Sequence, residues 1–203
     1  FGMAAIALVW GARKLVSGHQ LTRSLQDLEV GEDGDAIGRL IGLTEGWWAT
    51  RSARDVAALN LGLLAVRTSD LDEAVRWYER VTRSGRAYPH AAVGLAFVHV
   101  VQRRFDKAEN MLHEALSRGG RVVHDEVDEV RLLLVLCRDG TMAARALGER
   151  IVGPSSGPLL RAVVAVARKE AGDSGGATEL LDTSVVDVMD RLRPLIPELE
   201  EII

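Results

Sequence analysis

Apolar residues recur at three- and four-residue intervals along most of this chain, and short polar or glycine-containing breaks cut the pattern into helix-sized lengths. Between residues 55 and 183 the breaks predict helices over 55–67, 71–84, 89–102, 105–118, 125–138, 142–152, 158–171 and 175–183. A last helix over 185–192 meets Pro194 and Pro197. Upstream, Leu21, Leu25 and Leu28 share one face of a helix over 17–30. The acidic turn Gly31-Glu32-Asp33-Gly34-Asp35 ends that helix, and Asp35 is placed to cap the next one. The predicted fold class is all-α, with no strand of five or more residues over 55–185.

The helices come in pairs. Asp55 to Tyr88 overlays Pro89 to Val122 at a step of 34 residues, so that Gly62 falls on Ala96, Ala74 on Ala108, Tyr78 on Leu112 and Val81 on Ala115. Ala143 lies 35 residues beyond Ala108 and Ala177 lies 34 beyond Ala143, while Ala36 precedes Ala74 by 38. This pattern resembles the tetratricopeptide repeat, a helix-turn-helix unit of 34 residues that needs small residues at its eighth and twentieth positions, where its two helices touch. Gly62 with Ala74, and Ala96 with Ala108, meet that requirement. The fourth position holds Ala58 and Ala92 in place of a large residue, and no tyrosine stands at the eleventh. The resemblance covers about residues 55–185 and is strongest in the first half.

The resemblance implies a solenoid of antiparallel helix pairs, preceded here by an apolar N-terminal helix, whose first helices line a concave groove. Its groove positions fall on Val56, Leu59, Leu63, Val66 and Arg67, then on His90, Val93, Phe97, Val100 and Val101. Leu59, Leu63, Val93, Phe97 and Val101 are therefore expected to form a partner-binding face, with Phe97 its anchor. A groove this apolar suits an amphipathic helix or extended apolar segment, from a partner protein or from a second copy of the chain. The alternative is that the chain's own helices fill it as core. Members that clamp a carboxylate line the groove with Lys, Arg and Asn, and here only Asn60 and Arg67 are of that type. The domain division expected is 1–16 apolar helix, 17–54 degenerate helix pair, 55–193 solenoid and 194–203 tail.

Residues 1–16 carry no charge before Arg13 and are too few to span a bilayer, which takes about 20 apolar residues. The chain opens on Phe1 rather than Met, so residues upstream are expected, with 1–16 the second half of a longer membrane anchor. In that reading Trp10 sits at the interface and Arg13-Lys14 at the headgroups, and the positive-inside tendency favours a cytoplasmic over a periplasmic solenoid. The competing reading makes 1–16 a structural cap on the first helices. Trp47-Trp48 cannot both face inward on one helix, so one of them packs and the other is exposed or contacts a partner or a membrane.

Composition narrows the function classes. A net charge of -4 gives no basic footprint for nucleic acid. Aromatics make up only 4% of the residues, so helix contacts must rest on Leu, Val and Ala, as in stacked helical repeats. Cys137 is the single cysteine and is expected to be an inert core thiol. Histidines 19, 90, 99, 113 and 124 show no metal-ligand spacing. Gly153-Pro154-Ser155-Ser156-Gly157 matches the nucleophile-elbow letters, but a helix precedes it where that motif needs a strand. No catalytic, cofactor-binding or metal residue is assigned and no enzyme activity is expected. The expected role is a membrane-tethered adaptor or scaffold in a bacterial multi-protein assembly. The alternative is a soluble, self-assembling or regulatory scaffold.

Overall fold

The computed structural model describes residues 2–30, 33–153 and 156–197; the side chains of residues 2–11, 29, 30, 33 and 191 fall outside the description. Every element among the described residues is helical. The chain divides into two compact units, Phe1–Ala91 and Ala92–Ile203.

The first unit holds α1 (Gly2–Val30), α2 (Asp33–Glu45), α3 (Arg51–Arg67), α4 (Leu71–Arg80) and the start of α5 (Tyr88–Val101). The entry of α3 is fixed by Thr50, whose hydroxyl accepts the Ala53 N–H at 3.3 Å. Asp70 does the same for α4, accepting the Glu73 N–H at 3.0 Å, and such caps each contribute about 1 kcal/mol. α1 packs on α2, α2 on α3, α3 on α4, and α1 also touches α3. Asp55 on α3 is buried, and its Oδ1 accepts both the Thr82 N–H at 3.0 Å and the Thr82 hydroxyl at 2.8 Å. That bond draws the chain out of helical geometry, so α4 ends at Arg80 rather than at the predicted residue 84.

The second unit holds the rest of α5, α6 (Phe105–Gly119), a 3-10 turn (Gly120–Val123), α7 (His124–Asp139), α8 (Thr141–Ile151), α9 (Pro158–Glu170), α10 (Ser174–Thr178) and α11 (Thr183–Leu192). α6 packs on α7, α7 on α8 and on α9, α8 on α9, and α9 on α10 and α11. Arg168 of α9 clamps Glu149 of α8 through two bonds of 2.8 Å and donates a third at 3.0 Å to the Gly176 carbonyl. Arg161 reaches Asp182 at 2.6 Å and Ser184 at 3.1 Å ahead of and within α11.

One pattern recurs through both units. A buried alanine stands at the fourth residue of α2, α4, α6, α8 and α10: Ala36, Ala74, Ala108, Ala144 and Ala177. Twelve residues before and four residues after each alanine stand Ser24 and Leu40, Gly62 and Tyr78, Ala96 and Leu112, Leu132 and Gly148, and Ala165 and Leu181. Each couple joins one small and one large residue. In the α3–α4 pair the contact is direct, because a Cβ on Gly62 would lie 2.5 Å from Tyr78 Cε1. In α8 the buried residue is Ala144, whereas the 35-residue step points to Ala143, which is only half-buried. The extra residues lie ahead of α7, where α6 runs to Gly119 and the 3-10 turn Gly120–Val123 follows it; α7 and α8 themselves are joined through Gly140 alone, at φ 87.

Between α3 and α4, α5 and α6, and α9 and α10 the turn has three residues and repeats itself. Ser69 N–H bonds the Val66 carbonyl and Asp70 N–H that of Ala65; Arg103 bonds Val100 and Arg104 bonds His99; Gly172 bonds Lys169 and Asp173 bonds Arg168. Paired closures of this kind satisfy the last carbonyls of a helix and need a left-handed residue, and Ser69, Arg103 and Gly172 have φ 61, 58 and 83.

At the N-terminus α1 is one continuous helix, Gly2–Val30, so the stretch 17–30 continues the helix that precedes it. Arg13 donates to the carbonyls of Trp47 at 2.7 Å, Trp48 at 3.0 Å and Ala49 at 3.3 Å, binding α1 to the α2–α3 connection. Arg39 of α2 pairs with Asp27 and reaches Ser24 further along the same helix. No helix among the described residues is long and apolar enough to cross a membrane. α2 begins at Asp33, so Asp35 lies inside it rather than capping it. Phe1, Gly31, Glu32, Pro154, Ser155 and the tail Glu198 to Ile203 lie outside the described residues.

Candidate functional site

The five residues expected on the groove fall in both units. Leu59 and Leu63 stand on α3 in the first, Val93, Phe97 and Val101 on α5 in the second. Their exposures differ. Leu63 is 49% exposed, Leu59 and Val101 are half-buried, and Val93 and Phe97 are buried, at 6% and 9%. Other large apolar side chains reach solvent elsewhere: Leu15, Val16, Trp47, Val122 and Met142. Trp47 is 82% exposed while Trp48 packs beside Gly46, so the tandem tryptophans divide as their adjacency requires.

Polar chemistry concentrates in two pockets, each inside one unit. The first, about 320 Å³, lies in the first unit among the C-terminal end of α2, the N-terminal half of α3 and the end of α4. Arg51, Arg54, Asp55 and Ala58 recur along α3 at helical spacing, so they present one face, with Ala58 leaving room beneath the arginines. Arg80 and Thr82 close the far side and Thr44 the near side. Arg51 Nη2 donates to Ser84 Oγ at 2.6 Å, and the Arg80 guanidinium lies 4.7 Å above the Trp77 ring. Among the described residues none of these arginines is ion-paired. The Thr44 hydroxyl donates to the Ile41 carbonyl at 2.8 Å and that of Thr82 to Asp55, so neither has its hydrogen to spare.

The second pocket, about 230 Å³, is acidic and lies in the second unit, lined by Asp125, Asp128, Glu129, Ile151, Ser156 and Leu160. Burial, reinforced by Glu126 and Asp125, pushes the Glu129 carboxyl up to about 7. Its Oε1 occupies the place a Cβ at Gly157 would need, against the start of α9. Asp128 is partly engaged by Arg131 at 3.7 Å. Among the described residues no group of three or more His, Cys, Asp or Glu could hold a metal ion. Cys137 is half-buried near the end of α7.

The arginine pocket was not legible in the sequence. The predicted helix over 55–67 leaves Arg51 and Arg54 outside it, whereas α3 begins at Arg51, and Arg80 lies far from both along the chain. The packing of α4 along α3, with the long-range bonds from Asp55 to Thr82 and from Arg51 to Ser84, brings the end of α4 back over the start of α3. Comparison with protein-family models, with curated proteins and with solved structures finds no match for this chain.

Proposed function

We propose that this chain is a tetratricopeptide-like helical scaffold that holds a protein partner. The observation that carries the proposal is the alanine at the fourth residue of each second helix, with a small and a large residue at fixed offsets on either side of it. Stacked pairs built this way rest on backbone approach rather than on a catalytic cavity. Of the five residues expected to face a partner, Leu63 is the most accessible, with Leu59 beside it on α3, while Val93 and Phe97 are buried; the ligand is an amphipathic helix, an apolar segment or a second copy of the chain.

The N-terminus can serve in two ways. As a membrane tether, residues 1–16 would place the exposed Leu15, Val16 and Trp47 beside a bilayer surface, with the remainder on the cytoplasmic side. As a cap, the same stretch belongs to a soluble scaffold, and the three bonds from Arg13 to carbonyls 47–49 favour this second reading.

Comparing the full chain with one beginning at Ser17 tests both. The tether predicts that the full chain sediments with membranes and needs detergent for extraction, while the shorter chain stays dispersed and fully helical. The cap predicts that the shorter chain loses helical signal. For the scaffold itself, a photo-crosslinking residue at position 63 is expected to give one discrete adduct in cells, removed by Leu59→Glu at unchanged melting temperature. Diffuse labelling insensitive to Leu59→Glu would overturn it.

A further inference from the structure

We propose that the arginine pocket of the first unit binds a dianionic phosphate ester. Three guanidinium groups, those of Arg51, Arg54 and Arg80, surround a cavity of about 320 Å³ whose lining includes one carboxylate, Asp55. Two positive charges are therefore left over, on a chain whose net charge is -4. Asp55 does not neutralise the arginines directly. Its Oδ1 accepts two bonds from Thr82, and its Oδ2 is pressed against Gly85.

The arginines are positioned unequally. Arg51 is steadied by Ser84, and Arg80 by the face of Trp77, which leaves the edges of both guanidinium groups available. Arg54, between them on α3, has no partner among the described residues. Both threonine hydroxyls have donated their hydrogens elsewhere, so recognition of a ligand here falls to guanidinium N–H groups, which select anions. The first turn of α3 adds the positive end of a helix on the same side.

Charge and shape select the ligand class. A single carboxylate is satisfied by one guanidinium through a two-bond fork, so it would leave two arginines idle. A phosphate monoester carries close to two negative charges and three acceptor oxygens at neutral pH, matching three guanidinium groups and the two uncompensated charges. The cavity stands at the small end of ligand pockets, large enough for the phosphate and the first atoms beyond it. The ester can be carried on a phosphorylated side chain of a protein partner or on a small phosphorylated metabolite.

The test is a titration of the full chain at pH 8 with inorganic phosphate at constant ionic strength, following arginine Nε–H signals by NMR. Saturable shifts are expected in Arg51, Arg54 and Arg80, with acetate giving none. Arg54→Gln, which removes no bond of the fold, is expected to weaken phosphate by about tenfold or more, the scale of one charge-assisted hydrogen bond, at unchanged melting temperature. Arg80→Gln is expected to weaken it comparably, and Arg23→Gln, outside the pocket, not at all. Phosphate shifts that do not saturate, that acetate reproduces, or whose midpoint is unchanged in Arg54→Gln would overturn the site. Phosphothreonine within a short peptide binding at least tenfold tighter than inorganic phosphate assigns the ester to a partner protein, and equal binding assigns it to a small molecule.

Discussion

The α3–α4 and α7–α8 pairs solve one packing problem with opposite choices. In the first, the small residue is on the leading helix and the large one on the following helix, Gly62 beneath the ring of Tyr78. In the second the order is reversed: Leu132 occupies the leading position and Gly148 the following one, with Val164 of α9 pressed against Gly148 as well. Both pairs bury an alanine with no exposed surface, Ala74 or Ala144, at the same place in the second helix. What the repeat keeps is therefore the combined volume at the helix crossing, not the letter at either site. Close packing makes such volume exchange tolerable when both sides change and costly when one does.

The largest effect is expected in the pair between these two, where Phe97 stands next to the small Ala96 and is 9% exposed. Phe97→Ala should cost about 3 to 5 kcal/mol in denaturant unfolding, as for a core aromatic. A loss below about 1 kcal/mol would show that this face of α5 is open, and would sharpen Phe97 as a partner anchor instead.

Next comes Gly62→Ala, whose new methyl would meet Tyr78 ring atoms at 2.5 to 2.9 Å. The expected cost is about 1 to 3 kcal/mol. Adding Tyr78→Leu should recover part of it, with a coupling of about 1 kcal/mol in a double-mutant cycle. Strict additivity would mean that volume is not shared between the two positions.

Charge distinguishes the α7–α8 region further. Glu129 has its carboxyl raised from 4.5 to about 7, by burial first and then by Glu126 and Asp125. A raised carboxyl favours the protonated folded state, so its contribution is complete below about pH 4.5 and is lost as pH rises through about 7. Glu129→Gln should therefore match the parent at pH 4 and exceed it at pH 8. Partial exposure and the positive end of α9 hold that gain to about 1 to 2 kcal/mol. A constant difference across pH 4 to 8 would contradict the burial of this carboxyl.

The smallest effect concerns the turns. Ser69 and Arg103 hold φ 61 and 58, where Gly172 stands in the third copy of the same turn. Ser69→Gly should raise stability by about 0.5 to 1 kcal/mol, because glycine avoids the Cβ conflict of the left-handed region. A loss would show that the Ser69 side chain supports the turn in a way the backbone bonds do not reveal.

Helix positions were largely legible because apolar spacing and breaks such as Asp70 and Pro158 act locally. Ala74, Ala108 and Ala177 were legible through the 34-residue step, which the three-residue turns preserve. Ala144 was not, since the longer passage from the start of α6 to the start of α7 displaces the register without leaving a mark in composition. The early end of α4 escaped for another reason: it depends on Asp55, 27 residues from Thr82 along the chain. The arginine pocket also depends on the packing of α4 on α3 and on bonds from α3 to residues 82 and 84, so no local pattern could announce it. The exposure of Leu63 and burial of Phe97 were likewise beyond reach, since a periodic apolar face reads alike whether solvent, a partner or another helix covers it.

The register of the third pair is the most direct test of the account. Equilibrium unfolding of Ala143→Leu and Ala144→Leu, measured side by side, compares neighbouring positions with the same change in volume. Ala144→Leu should lose about 1 to 3 kcal/mol by overpacking the buried crossing, and Ala143→Leu, half-exposed, less than about 1 kcal/mol. Equal losses, or a larger loss at Ala143, would contradict the fourth-residue alanine as the fixed point of the repeat.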